Sequence, residues 1–224
     1  MPRPRATVFA FVCAIAALAA LSASPALADP GNGSASLWKL GYYTSSGQTL
    51  SFATVPQGGG AATFNFTAAD NTALLVTDHG SLKGTDLGNL AGKTITATFD
   101  ISGATGAFTY YGQPDACGTP ASVRLYFQTD NGGGFAYTHY WWSNPESRVL
   151  ANGTHFTLTA NVLPVEWSDW NGQNGATQLT GFNDAAGNVT TIGFSFGGGC
   201  FFENGVGTTD GSGTFKLDSF AVSP

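Results

Sequence analysis

Hydrophobic and polar residues alternate with a period of two in four stretches of the chain, residues 94–101, 123–128, 155–162 and 191–196. In the first stretch, isoleucine, alanine and phenylalanine alternate with threonine and aspartate. Such alternation is typical of half-buried β-strands. Weaker alternation marks six further candidate strands, residues 37–43, 50–55, 62–67, 73–77, 135–142 and 214–222.

Glycine-rich breakers separate these stretches, as at Asn152-Gly153 and Asp210-Gly211. Such turns are what antiparallel hairpins require. Beyond the N-terminal segment, no twelve-residue window carries a helical apolar period. About ten strands and few helices predict an all-β fold, a jelly-roll-like antiparallel β-sandwich. Since no repeat, charge run or proline-rich linker divides it, residues 29–224 are expected to form a single domain.

The N-terminus has the pattern of a secretory signal peptide. Arg3 and Arg5 precede an apolar run over residues 8–21, and Ala26-Leu27-Ala28 matches a cleavage site. The alternative is a retained membrane anchor, but the run is shorter than the roughly 20 residues that span a bilayer. We therefore predict a signal peptide over residues 1–28. The protein is expected to be secreted and extracellular, or periplasmic if the source has an outer membrane.

Removal of the signal peptide, which contains Cys13, leaves two cysteines, Cys117 and Cys200. An even pair in an oxidising compartment favours a disulfide. Two free thiols or a metal-binding pair is the alternative. The three histidines of the chain show no metal-ligand spacing, so zinc has little support.

Composition and charge limit the class of partner. Charged residues make up 10% of the chain, which fits a β-protein whose surface carries Thr, Ser and Asn. After cleavage at residue 28, six Lys and Arg remain against 14 Asp and Glu, a net charge of −8. Because nucleic-acid binding needs clustered cations, it is excluded. No later segment is apolar enough to span a membrane, and we expect a monomer.

Four of the five tryptophans lie in two short stretches, residues 137–145 and 166–174, among Asn, Asp and Gln. The C–H faces of a sugar stack on flat rings, and its hydroxyls bind amides and carboxylates. Large aromatic residues filling the core are the alternative. If Trp141 and Trp142 lie in a strand, one side chain faces the core and the other a ligand. The candidate ligand-binding residues of these stretches are Trp141, Trp142, Asn144, Trp167, Asp169, Trp170 and Asn171.

A second candidate surface is one face of the 123–128 strand, which carries Arg124, Tyr126 and Gln128. These side chains suit the concave face of a sandwich, although an ordinary outer face explains them as well. Tyr110 and Tyr111, which precede Cys117, are further candidates for a loop wall near the disulfide.

Catalytic residues are not selected by any spacing. A glycosidase needs two facing carboxyl groups, and Glu166 with Asp169, or Glu203 beside Cys200, are candidate sources. No nucleophile elbow or phosphate loop occurs. We therefore predict no catalytic residue and leave enzymatic activity open.

A structural calcium ion is a further candidate. Asp210, with Asn204 and Asp218 nearby in sequence, offers oxygen ligands. The EF-hand spacing is absent, and an Asp-Gly hairpin turn explains the same residues.

Residues 90–224 resemble the galactose-binding-like β-sandwiches of bacterial carbohydrate-binding modules. The motifs that carry the resemblance are, in order, L-x-G-K-x-I, V-R-L-Y-F-Q, T-L-T-A-x-V, W-S-D-W, I-G-F-S-F and G-x-F-x-L-D-S-F-x-V. The resemblance implies sugar recognition by the concave face or by loops at one edge. It also implies a bacterial source and a structural calcium.

The sequence thus predicts a secreted, non-catalytic protein that binds a polysaccharide or oligosaccharide through aromatic and amide side chains. Two alternatives stay open. One is a small polysaccharide-degrading enzyme, and the other is a structural or adhesive exported protein with all five tryptophans in its core.

Overall fold

The computed structural model describes residues 35–43, 49–58, 60–68, 71–78, 87–130 and 134–224. The predicted signal peptide, residues 1–28, lies outside these ranges. No helix within these ranges is long and apolar enough to cross a membrane.

About half of the described chain is β-strand. In chain order the strands are β1 (Lys39–Tyr43), β2 (Leu50–Thr54), β3 (Gln57–Gly58), β4 (Ala61–Asn65), β5 (Thr72–Thr77), β6 (Thr94–Ser102), β7 (Phe108–Tyr110), β8 (Ser122–Gln128), β9 (Tyr140–Ser143), β10 (Arg148–Val149), β11 (Gly153–Asn161), β12 (Trp167–Asp169), β13 (Thr191–Gly197), β14 (Val206–Thr208) and β15 (Thr214–Ser223). An α-helix, α1, spans Leu179–Gly187, and short 3-10 helices span Ala35–Leu37, Tyr137–His139 and Pro164–Glu166.

The strands form two antiparallel sheets. The first follows the order β12-β9-β8-β13-β5-β1-β2, with β10 paired to β8, and β14 paired to β5 and β7. The second follows the order β11-β6-β15-β4-β3. The chain passes repeatedly between the sheets, from β4 to β5 to β6 and later from β10 to β11 to β12. This connectivity is typical of jelly-roll sandwiches, so the predicted fold class is confirmed.

Alternation along each strand builds the core between the sheets. Ile95, Ala97 and Phe99 of β6 face inward and pack with Leu125 and Phe194 of the opposite sheet in one buried cluster. The first sheet also buries residues on its other face, which we call the outer face. There Trp142, Tyr126, Leu74 and Val76 form a second cluster. The outer face of the first sheet is therefore covered with apolar side chains.

The strands predicted from clear alternation are all present, but the structure adds short elements. β7, β12 and β14 have three residues each, too few to show a period, and α1 has nine. Trp167, a candidate ligand-binding residue from sequence, lies in β12, which pairs with β9. The first half of the 135–142 candidate forms a 3-10 helix before β9 begins.

The predicted disulfide between Cys117 and Cys200 is present, with the two Cα atoms 5.1 Å apart. It joins the segment before β8 to the loop that follows β13.

Candidate functional site

A pocket of about 540 Å³ opens beside the outer face of the first sheet. Its walls come from five parts of the chain, which are the end of β1, the segment after β7, the strand β9, the turn at the end of β12 and the loop after β13. The lining residues are Tyr43, Tyr111, Gly112, Asp115, Trp142, Asp169, Trp170, Asn171, Gly172, Cys200, Phe201, Phe202, Glu203 and Asn204.

Strand alternation determines which tryptophan reaches this pocket. Trp141 and Trp142 are neighbours in β9 and point to opposite faces. Trp141 belongs to the buried cluster between the sheets, whereas Trp142 packs on the outer face against Tyr126 of β8, with ring centroids 5.4 Å apart. Trp142 therefore forms part of the pocket wall.

Five aromatic rings follow one another across the outer face. The centroid distances are 5.5 Å for Phe135–Tyr140, 5.7 Å for Tyr140–Trp170, 5.8 Å for Trp170–Trp142 and 6.3 Å for Trp142–Phe202. We call Phe135, Tyr140, Trp170, Trp142 and Phe202 the aromatic strip. Trp170 is 43% exposed, so the strip reaches solvent.

The rim of the pocket adds further exposed rings. Phe201 is 64% exposed, and Tyr111 is also exposed. Tyr111 lies in the same wall as Cys200, which is where the sequence suggested a loop wall near the disulfide.

Three buried polar atoms of the lining residues have no hydrogen-bond partner among the described residues. They are Nε1 of Trp142, Oδ2 of Asp169 and Oε2 of Glu203. The other oxygen of Asp169, Oδ1, accepts hydrogen bonds from the backbone N–H groups of Asn171 and Gln173, both at 2.9 Å. A buried polar atom without a partner costs about 1–3 kcal/mol. Three such atoms at one pocket make it the candidate ligand site.

Glu203 has an unusual environment for a carboxyl group. Burial raises its pKa to about 8, and a hydrogen bond from Tyr43 opposes this increase only in part. Burial and the nearby Glu203 also raise the pKa of Tyr43, and the same two causes act on Tyr126 and Tyr140. A carboxyl group with a pKa of about 8 is mostly protonated at neutral pH.

Arg124 lies close to the pocket but does not line it. Its guanidinium group stacks over the ring of Phe202, 4.1 Å from the centroid, and Nη1 donates a hydrogen bond to the Ser143 carbonyl at 2.7 Å. Burial lowers the pKa of Arg124 to about 10. The Arg124 guanidinium group is therefore held behind the Phe202 ring.

The loop that carries Glu203 is fixed by the disulfide and by Asp115. The carboxylate of Asp115 accepts backbone N–H groups from Cys117, Gly118 and Cys200, the last at 2.8 Å, and these bonds lower its pKa, with the Cys200 bond as the largest cause. Gly199 has φ +62°, and a Cβ atom there would overlap the Asp115 carboxylate. Only glycine fits this position, so the turn and Asp115 hold the loop together.

The structure brings together only part of the predicted site. Trp142, Asp169, Trp170 and Asn171 line the pocket. Beneath this wall, the Tyr126 hydroxyl donates a hydrogen bond to Gln128.

The other candidate residues lie elsewhere. Trp141 and Trp167 are fully buried between the sheets, and Nε1 of Trp167 donates to the Asn161 carbonyl at 2.7 Å. Asn144 donates to Ser168 Oγ at 2.9 Å and does not line the pocket. We leave these three residues out of the site.

Glu166 does not face Asp169 across a cleft. Its two oxygens accept hydrogen bonds from the backbone and side-chain N–H groups of Asn161, at 2.7 and 2.8 Å. Of the acids considered from sequence, Glu203 and Asp169 are the two that line one pocket.

The candidate calcium ligands have partners within the protein. Asp210 accepts hydrogen bonds from Thr105 and Ser212, which hold its pKa well below the usual range. Asp218 pairs with Lys216 at 2.8 Å, and Asn204 bonds to Gly198 and Tyr111. These contacts account for Asp210 and Asn204 as parts of a hairpin turn and a loop, whereas Oδ2 of Asp218 has no hydrogen-bond partner among the described residues.

Sequence reasoning did not select Tyr43, Phe135, Phe201 and Phe202 as site residues. A usable signal was present for two of them, because Phe201 and Phe202 follow a half-cystine in a glycine-rich loop and precede a glutamate. Tyr43 and Phe135 carried no local signal.

A second groove, of about 560 Å³, lies toward the β2 edge of the same sheet and includes Phe52. Phe52 is 52% exposed. Phe52 is therefore an exposed phenylalanine outside the pocket and serves as a control for Phe201.

Comparison with known proteins adds little to this description. No protein-family model matches the chain, and a search of curated proteins finds no match. Among solved structures, the chain is similar to a xylan-binding module, CBM15, at 15% identity and a TM-score of 0.37, covering 85% of this chain and 94% of that one.

Proposed function

We propose that the protein is secreted and binds a polysaccharide or oligosaccharide along the aromatic strip, with one sugar unit seated in the pocket. The observation that carries this proposal is the combination, at one pocket, of aromatic rings with three unpaired polar atoms. Ligand pockets are typically aromatic and apolar with a few placed polar groups.

The chemistry of the three atoms matches the hydroxyl groups of a sugar. Nε1–H of Trp142 needs an acceptor, and Oδ2 of Asp169 needs a donor. A hydroxyl group is both donor and acceptor, so adjacent hydroxyls satisfy both atoms. Because the atoms are buried, a ligand must shift a neighbouring ring to reach them.

The length of the aromatic strip favours a chain over a single sugar. Phe135 and Tyr140 lie beyond the residues that line the pocket, and Phe135 is 59% exposed. A sugar unit in the pocket leaves these rings available for its neighbours. We therefore expect affinity to rise with the number of sugar units.

Retention on insoluble cellulose, chitin, chitosan and xylan tests this proposal. We expect retention on at least one of them, and we expect Trp170→Ala to weaken it at least tenfold, because the variant loses the apolar contact of the sugar C–H groups with the ring, and a loss of about 1.4 kcal/mol is tenfold in affinity. No retention on any of the four would overturn the proposal.

A matched pair of variants controls for nonspecific effects. Phe201→Ala removes an exposed ring at the pocket rim, and Phe52→Ala removes a similarly exposed ring in the other groove. We expect the first variant to weaken retention and the second to leave it unchanged. Equal loss in both would show that the pocket is not the binding site.

A second candidate function is glycoside hydrolysis. Glu203, with its pKa raised to about 8, and Asp169 line one pocket, and two carboxyl groups in different environments are what an acid and its partner require. Release of reducing ends that is abolished by Glu203→Gln and Asp169→Asn, and retained in Glu166→Gln, would support it. Absence of product with all four polysaccharides would eliminate it.

A further inference from the structure

The charge of the pocket restricts which sugar it accepts. Asp169 and Glu203 each have one buried oxygen without a partner, and no Lys or Arg occurs among the lining residues. Arg124, which lies behind Phe202, contacts the Phe202 ring and donates a hydrogen bond to the Ser143 carbonyl. Two carboxyl groups therefore lie in an aromatic pocket without a counter-ion.

We propose, on the basis of the sugar-binding function proposed above, that the pocket takes a sugar unit bearing a primary ammonium group, as in the glucosamine units of chitosan. An ammonium group has three N–H donors. Oδ2 of Asp169 and Oε2 of Glu203 each lack a donor, so either oxygen can accept one of them. The flanking Trp142 and Trp170 rings add cation–π attraction.

Anionic sugars are excluded by the same groups. A uronate or sulfate in the pocket meets Asp169, Asp115 and Glu203 and finds no lining cation. An N-acetylated sugar retains its hydroxyl contacts and loses the ammonium, so it leaves the two carboxyl groups without a cation.

Binding of an ammonium group has a proton signature. The pKa of Glu203 is about 8 without a cation nearby, so the group is mostly protonated at neutral pH. A bound cation stabilises the ionised form and drives the release of a proton. The titratable groups that face Glu203, which are Tyr43, Tyr126 and Tyr140, have raised pKa values and stay protonated at neutral pH.

Calorimetry with a glucosamine tetramer, its N-acetylated counterpart and a glucose tetramer tests the proposal, at a pH where the free amine is protonated. We expect the glucosamine tetramer to bind at least about tenfold more tightly than either neutral tetramer. Measured at the same pH in buffers of different ionisation enthalpy, binding should release up to one proton per site, because Glu203 is protonated before the amine binds.

Variants assign the effect to the two carboxyl groups. Asp169→Asn and Glu203→Gln should each weaken binding of the amine at least tenfold more than they weaken binding of the neutral tetramers, and Glu203→Gln should abolish proton release. Asp184→Asn, an exposed carboxylate on α1, changes net charge by the same amount and should have no effect. Melting temperatures show whether each variant folds. If one of the two carboxyl variants fails to fold, the other one tests the proposal.

The outcomes separate this inference from the function on which it rests. If neutral tetramers bind as tightly as the amine and Trp170→Ala abolishes their binding, the sugar site stands and the ammonium proposal is overturned. If an acidic oligosaccharide binds more tightly than the amine, the proposal is also overturned. If no tetramer or polysaccharide binds, both proposals fall.

Discussion

At the scale of single residues, Glu203 and Asp169 have environments that folding alone does not explain. Each is buried with one oxygen unpaired, although carboxylates are almost never fully buried without a partner. Sequence showed both residues as acids near aromatic residues, but acids on loops occur in any secreted protein. Their burial distinguishes Glu203 and Asp169 from such acids, and this burial depends on side chains that are distant in the sequence.

The raised pKa of Glu203 predicts how stability depends on pH. In the unfolded chain the group titrates near its ordinary value of 4.5, and in the folded protein near 8. Above pH 4.5 the unfolded chain gives up the proton while the folded protein keeps it, so the free energy of unfolding falls as pH rises toward 8. Glu203→Gln removes this loss. The difference in free energy of unfolding between the variant and the wild type should therefore shift by roughly 3–4 kcal/mol in favour of the variant as pH rises from about 5 to 8.

Urea unfolding of both proteins across this pH range measures the difference. Asp184→Asn serves as the control for the loss of one exposed carboxylate. If Glu203→Gln and the wild type lose stability in parallel, the carboxyl group is not buried as described.

At the scale of elements, strand length decided what the sequence could predict. β6, β8, β11 and β13 have seven to nine residues each and show clear alternation. The helix α1 was not predicted, since its apolar contacts are few. They come from Phe182, Ala185 and Ala186, which are spaced three and four residues apart.

Phe182 is the residue through which α1 packs on the sandwich. Its ring is buried and meets Trp141 edge-on, with centroids 5.1 Å apart. Phe182→Ala should therefore destabilise the protein by about 3–5 kcal/mol. Leu179→Ala, at an exposed position of the same helix, should change stability by less than about 0.5 kcal/mol. Chemical denaturation gives both values, and a small loss at Phe182 would contradict this packing.

The loop after β13 is the other element on which the site depends. The Cys117–Cys200 disulfide spans 83 positions and anchors this loop. Replacing both cysteines by serine should cost roughly 2–5 kcal/mol of stability. It should also weaken sugar binding, because Phe202 and Glu203 lose their fixed position.

Both effects can be measured on the same double variant, by denaturation and by retention on polysaccharide. Loss of stability with unchanged retention would show that Asp115 and Asn204 hold the loop without the disulfide.

At the scale of the whole molecule, the sandwich could be predicted and the pocket could not. Period-two patterns and glycine-rich turns are local, so the all-β class and the disulfide followed from the sequence. The pocket draws on residues 43, 111–115, 142, 169–172 and 200–204, which meet only because their strands share one sheet. No local pattern encodes that arrangement.

The distribution of tryptophans makes the proposed binding surface directly measurable. All five tryptophans lie in the described residues, and four of them are buried, which leaves Trp170 as the exposed one. The structure thus departs from the hypothesis of a protein with every tryptophan in its core. Collisional quenching of tryptophan fluorescence by acrylamide therefore reports mainly on Trp170.

The most direct test of the account is this quenching, measured with and without saturating xylose, glucose and glucosamine tetramers, alongside Trp170→Phe. We predict that at least one tetramer lowers the quenching to the level of Trp170→Phe, because a sugar stacked on the ring excludes the quencher. A tetramer that binds by calorimetry and leaves the quenching of Trp170 unchanged would contradict the central claim that sugar binds along the aromatic strip.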